Sequence, residues 1–136
     1  MVTRVLDTSV VAKWFFEEEG TDRAEALLAE LLDGRARIEV PSSLFYEIAN
    51  VLWTRRRDLT ERQARTVWAE LTAFPLAVTA WSDFLPEALS FAFQHEVTAY
   101  DAAFVVLARQ LGCDLVTADE ALHRKTAGDC LWVTRL

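Results

Sequence analysis

The chain has 136 residues, of which 52% are hydrophobic and 11% aromatic, and its formal net charge is −7. That length fits one domain with a substantial core and leaves no room for two; four glycines, three prolines and no low-complexity tract argue against disorder. No apolar stretch approaches the roughly 20 residues of a membrane span, and the acidic balance speaks against a nucleic-acid interface built on net positive charge.

Apolar periodicity alternates between strand and helix character along the chain. Residues 3–6 read as a short buried strand. The single Arg4 is not followed by a long apolar run, so MVTRVLD reads as a strand rather than a leader, and a cytosolic location is expected. A helix near 9–17 (SVVAKWFFE) follows, then a second over 21–33, stopped by Gly34. IEV at 38–40 is a strand, and Pro41 with Ser42 and Ser43 opens a helix through SLFYEIANVLW. Thr60 and Gln63 form a capping box for the next helix. LAVT at 76–79 is a strand, with helices at 83–95 and 99–111, the latter ended by Gly112. DLVT at 114–117 is a strand, 119–126 a short helix and LWVT at 131–134 a last strand. Short strands alternating with helices predict an α/β fold over 1–136, a mostly parallel sheet with helices on both faces. Its ligand site then lies beyond the carboxyl ends of the strands.

Four acids stand in unexpectedly apolar surroundings: Asp7 after the first strand, Glu47 on an apolar helix, Asp101 in VTAYDAAFVVLA and Asp119 after LVTA. A lone buried carboxylate costs several kcal/mol unless it is paired or binds a metal. Each has a local alternative. Asp7 and Asp119 suit helix N-caps, although Thr8 and Ser9 can replace the first. Asp101 lies at capping-box spacing from Thr98 and complements a helix dipole. Glu47 sits on the margin of a stripe formed by Leu44, Ile48, Val51 and Leu52, with Asn50 beside it. Delivery of all four to one sheet edge favours a divalent-cation site and phosphate chemistry.

The other functional signals are weaker. Cys113 and Cys130 have no metal or disulfide spacing and are expected as buried free thiols. His95 and His123 are expected on the surface. Arg55, Arg56 and Arg57 form one basic cluster and His123, Arg124 and Lys125 another; the arginines suit a helix C-terminus or a contact to RNA phosphates or an acidic partner. Trp14, Phe15, Phe16 and Trp53 exceed the needs of a small core, so part of this set is expected in an exposed interface patch.

The segments VLDTSVVAKWF, PSSLFYEIANVLW and VTAYDAAFVVLARQLGCDLVTADEALHRK carry a further signal. Their order is an Asp followed by Thr and Ser, a helical Glu followed three residues later by Asn, a helix-start Asp after Tyr, and a late Asp after a strand ending in Thr. In this the chain resembles the PIN-domain ribonucleases, and among them the VapC-type toxins of bacterial toxin–antitoxin pairs. The resemblance implies a PIN-like three-layer sandwich and a metal-dependent endoribonuclease. It further implies a homodimer, a cognate antitoxin that wraps the toxin, and a bacterial or archaeal cytoplasmic setting. Mg²⁺ suits carboxylate and water oxygens, commonly with one or two direct carboxylates. Asp7 and Asp101 are then the principal ligands, Glu47 and Asp119 ligate directly or through water, and Mn²⁺ is a possible substitute. Thr8, Ser9, Asn50 and Thr117 become supporting groups. Two readings compete. A phosphatase-type domain with Asp7 as nucleophile expects a second acid where Ser9 stands. A non-enzymatic interaction module keeps the fold and dispenses with the acids.

Overall fold

The computed structural model describes residues 1–136. Five strands, β1 (Val2–Leu6), β2 (Ala36–Pro41), β3 (Ala77–Thr79), β4 (Asp114–Thr117) and β5 (Val133–Arg135), form one sheet in the order β3-β2-β1-β4-β5. All four pairings are parallel, more uniform than the mostly parallel sheet expected. Parallel strands need crossovers, and seven helices supply them: α1 (Thr8–Val11), α2 (Thr21–Leu32), α3 (Ser43–Thr54), α4 (Glu61–Ala73), α5 (Leu85–His95), α6 (Ala99–Leu111) and α7 (Glu120–Thr126).

The topology matters more than the layering. From β1 the chain winds outward through β2 to β3, then crosses back to place β4 and β5 on the other side of β1. The winding direction reverses between β1 and β4, and a crevice opens at such a switch point beyond the strand carboxyl ends. Asp7 immediately follows β1, and Thr117 ends β4.

The core explains the apolar runs. Val5, Leu6, Ile38, Val40, Leu115 and Val133 are buried on the sheet, covered by Leu44, Ile48, Phe91, Phe104 and Leu107 from the helices. In α6, Ala102 through Ala108 are buried without interruption, as befits a helix packed between the sheet and α5. The predicted capping box at Thr60 and Gln63 is present with both reciprocal hydrogen bonds.

Several expectations need correction. The helix near 9–17 ends sooner: α1 stops at Val11 and continues as a single 3-10 turn through Trp14. Thr21 is the cause. Its hydroxyl donates to the Phe16 carbonyl and accepts from the Glu18 N–H, turning the chain back so that Trp14 Nε1 donates to the Ala24 carbonyl. The last strand is 133–135 rather than 131–134, with Leu131 exposed. Cys130 is buried as expected, but Cys113 is only half-buried. His95 and His123 are half-buried rather than on the surface, and His95 Nε2 lies 2.8 Å from Asp129 Oδ2. Trp14, Phe15 and Phe16 pack against the core, whereas Trp53 is 59% exposed.

Candidate active site

Asp7 is the N-cap of α1 and also the best-held side chain of the sheet edge. Its Oδ1 accepts from Ser9 Oγ at 2.5 Å and from the Val10 N–H at 3.3 Å, and its Oδ2 accepts from Thr117 Oγ1 at 2.5 Å. The Thr117 bond ties the end of β4 to the end of β1, across the switch point. Thr117 Oγ1 also accepts from the Asp119 N–H, and Ser9 Oγ accepts from the Ala118 N–H. One network therefore joins the first acid to the segment that carries the last. Asp7 is 4% exposed. Burial pushes its carboxyl up from the usual 3.8 to about 6 against those three hydrogen bonds, and the charge of Asp101 adds to the rise. Ser9, which stands where a phosphatase-type site expects a second acid, instead donates its hydroxyl to Asp7.

Glu47 comes from the middle of α3, on the face turned toward α1. Its Oε2 is buried and makes no hydrogen bond, and the buried hydroxyls of Thr8 and Ser43 are likewise unpartnered. Burial, then the charges of Asp101 and Asp7, push Glu47 from the usual 4.5 to about 7. The Thr8 hydroxyl beside it opposes the rise.

Asp101 lies in the first turn of α6. Its N–H donates to the Thr98 hydroxyl at 3.1 Å, but the return half of a capping box, from the Thr98 N–H to the Asp101 carboxylate, is missing. The carboxylate is therefore not consumed by capping. Burial first and the Asp119 charge second raise its pKa, opposed by the Thr98 hydroxyl and the Lys125 ammonium. Asp119 does act as a cap: its Oδ1 accepts from the N–H groups of Ala121 and Leu122. Its other oxygen makes no hydrogen bond within the chain.

The structure thus brings Asp7, Glu47, Asp101 and Asp119 to one edge, close enough that each senses the charge of at least one other. The cluster is open, since no three of these acids bring ligand oxygens within 4.8 Å of one another. That spacing suits a hard ion that keeps part of its water shell. The donor set fits as well: only carboxylate oxygens converge, with a buried, unpartnered Glu47 Oε2 among them.

Thr8, Glu47, Asn50 and Val51 line a cavity of about 390 Å³ together with Tyr46 and Tyr100. Asn50 is exposed beside Glu47, on the wall rather than among the acids. The two tyrosines, 80% and 62% exposed, were not singled out from the sequence. Their position directly before Glu47 and Asp101 was the available signal. Arg55 lies elsewhere, ion-paired to Glu18 at 2.7 Å and stacked on Phe16, and Arg56 stacks on Trp53.

The PIN domain family model matches residues 4–128. Ribonuclease VapC3 of Pyrobaculum aerophilum is 34% identical over 125 residues, covering 89% of this chain and 92% of the relative. Two solved structures share the fold. One is Mycobacterium tuberculosis VapC20, described as a sarcin-ricin loop cleaving toxin, with TM-score 0.69, 16% identity and 96% and 98% of the two chains covered. The other is a toxin–antitoxin complex from Klebsiella pneumoniae, with TM-score 0.63, 14% identity and coverage of 96% and 95%. With most of its length matched by the family model and by a close relative in sequence, the chain belongs to the PIN-domain family and is of the VapC type.

Proposed function

We propose that this protein is a metal-dependent endoribonuclease that hydrolyses RNA phosphodiester bonds and serves as the toxin of a toxin–antitoxin pair. One observation carries the reading. Glu47 Oε2 is buried without a partner and faces like charges on Asp7 and Asp101. Such an arrangement is costly in a metal-free fold and becomes favourable beside a divalent cation. Likeness to VapC3, named a ribonuclease, supports the reaction class.

Asp7 and Asp101 are the principal ligands in this proposal, with Glu47 and Asp119 ligating directly or through water. Mg²⁺ is the expected ion and Mn²⁺ a substitute. Such an ion, when bound, lowers the pKa of its water and neutralises charge on the scissile phosphate. The remaining tasks fall to the chain's own groups. Ser9, Thr117 and the Val10 N–H hold both Asp7 oxygens in fixed directions. Glu47, raised by burial and by the charges of Asp101 and Asp7 when no ion is present, exchanges that unfavourable proton balance for contact with the cation or its water. Exposed Tyr46 and Tyr100 offer ring faces on which unpaired bases can stack.

The antitoxin is proposed by analogy with the Klebsiella complex. A cavity of about 360 Å³ between α3 and α4, lined by Leu52, Trp53, Leu59 and Trp68, supports a protein partner. Exposed Leu89 and Phe93 on α5 support pairing with a second copy.

The test is RNA cleavage by purified, partner-free protein with Mg²⁺ or Mn²⁺. Cleavage that chelation stops and Asp101→Ala abolishes is the expected result. Failure to cut any RNA class with either ion would sink the enzymatic reading.

A further inference from the structure

A second cluster of ligating groups lies away from the four acids. The end of α5 presents His95, and the loop after α7 brings Asp129 and Cys130 against it. His95 Nε2 is 2.8 Å from Asp129 Oδ2 and 4.0 Å from Cys130 Sγ, and that sulfur is 3.6 Å from Asp129 Oδ1. An imidazole nitrogen, a thiol and a carboxylate thus converge with all their ligand atoms within 4.8 Å of one another.

The hydrogen bonding of His95 leaves a proton short. Its Nδ1 faces the Phe91 carbonyl oxygen at 3.3 Å, and its ring stacks on the Phe91 ring with centroids 3.9 Å apart. Its Nε2 faces the Asp129 carboxylate. Both ring nitrogens therefore meet acceptors, while a neutral imidazole carries only one proton. A neutral ring can satisfy only one of these two contacts, whereas a cation at Nε2 with the proton kept on Nδ1 satisfies both. An Nδ1–H held by a backbone carbonyl is the usual way of aiming Nε2 at a metal.

We propose that His95 Nε2, the Asp129 carboxylate and Cys130 Sγ form a binding site for a zinc-class divalent ion, with a fourth position open to water. Mixed nitrogen, sulfur and oxygen donors suit zinc and are poorly matched to magnesium, so this site and the acid edge select different ions. Tetrahedral zinc with such donors places ligand atoms about 3.3–3.7 Å apart; one atom from each of the three residues already lies within 4.8 Å of the others, and the 2.8 Å contact of His95 Nε2 with Asp129 Oδ2 opens slightly to admit the ion. Cys130 is 2% exposed while Asp129 is exposed, so the protein encloses the sulfur side and leaves the carboxylate side to solvent. Burial and the adjacent Asp129 charge push the Cys130 thiol up to about 11; a dication in the same place reverses that balance, and its binding releases the thiol proton to solvent.

The position gives the ion a structural consequence. Glu96, next to His95, has a left-handed backbone with φ 54° and begins the turn into α6, and Lys125 Nζ donates to its carbonyl oxygen. That turn runs through Thr98 to Asp101. An ion bound here clamps the loop after α7 to the segment that delivers Asp101.

Cobalt(II) titration tests this directly, using the full chain with Asp101→Asn and excess Mg²⁺ to suppress binding at the acid edge. The expected result is one Co²⁺ per chain with a thiolate-to-cobalt charge-transfer band. The band disappears in Cys130→Ala, persists in Cys113→Ala, and needs more than tenfold higher Co²⁺ in His95→Gln. Zn²⁺ raises the melting temperature of the unsubstituted chain and not that of Cys130→Ala. Should Cys130→Ala misfold, Cys130→Ser and His95→Gln carry the same comparison. Absence of Co²⁺ and Zn²⁺ binding would show that His95 and Asp129 form an ion pair only. Binding without the thiolate band, or equal in Cys130→Ala and Cys113→Ala, overturns the site as well.

Discussion

The sheet edge around Asp7 and the flank of α3 around Glu47 bury carboxylates on opposite terms. At the sheet edge every Asp7 oxygen is engaged, and its donors are themselves tied into the segment from Thr117 to Asp119. On α3 the Glu47 Oε2 has no donor, and it borders a cavity walled by two exposed tyrosines. Hydrogen bonding lets the first carboxylate be held rigidly. Lack of it leaves the second destabilised and free to exchange a proton or meet an ion. Proximity in space does not give carboxylates equivalent roles; their donors divide the work.

Conservative amide substitution breaks the comparison most sharply. Glu47→Gln lowers RNA cleavage on the order of a hundredfold, the scale of losing a well-placed catalytic group, yet stabilises the metal-free protein at pH 8 by about 1 kcal/mol because an unpaired charge is gone. Asp7→Asn loses activity and, below the pH at which Asp7 ionises, stability as well, since its amide NH₂ confronts the Ser9 or Thr117 hydroxyl. Cleavage assays paired with thermal melts check both; equal stability changes in the two variants would erase the distinction.

The pH dependence probes the cost the two regions share. Both carboxyls have folded pKa values raised above their unfolded ones, so between those values the native state holds protons that the unfolded chain has released. Metal-free stability is therefore full below about pH 4 and falls as pH rises through about 6 for Asp7 and about 7 for Glu47. Asp7 alone contributes about 3 kcal/mol to that loss. Melting temperatures from pH 5 to 8 should decline without metal and flatten with saturating Mg²⁺. A metal-free profile that rises with pH contradicts the assignment.

Thr117→Val gives a smaller effect confined to the sheet edge. It removes one of Asp7's donors and the acceptor of the Asp119 N–H. Mn²⁺ affinity, followed by calorimetry, is expected to fall about tenfold. Smallest is Arg57→Ala, which removes a cation that forms no ion pair. It leaves stability within about 0.5 kcal/mol and reduces the salt dependence of RNA binding only if this helix end meets phosphate.

Much of the fold and the acid edge was legible in the sequence because both rest on local patterns. Strand-like runs ending at Leu6 and Thr117 fix where Asp7 and Asp119 emerge, and Thr98 sets the first turn that carries Asp101. The missed features depend on particular side-chain contacts, some local and some across the chain. The helix expected at 9–17 is cut short by a hydroxyl at Thr21, and the partner of His95 lies 34 residues away in an irregular loop. Neither contact leaves a periodic trace. His95 stacks on Phe91 one turn earlier in α5, but its contact with Cys130 emerges only once the loop after α7 is in place.

The hydrogen bond from Thr117 to Asp7 also limits how early the acid edge can assemble on a growing chain. It spans 110 residues, and β1 cannot gain its neighbour β4 until the last quarter of the polypeptide has been made. Non-local pairing of this kind is slow and comes late in folding. A ribosome-bound chain stopped after α5 carries Asp7 and Glu47 but lacks Asp101, Thr117 and Asp119. Such a fragment lacks three of the groups on which the proposed cleavage rests.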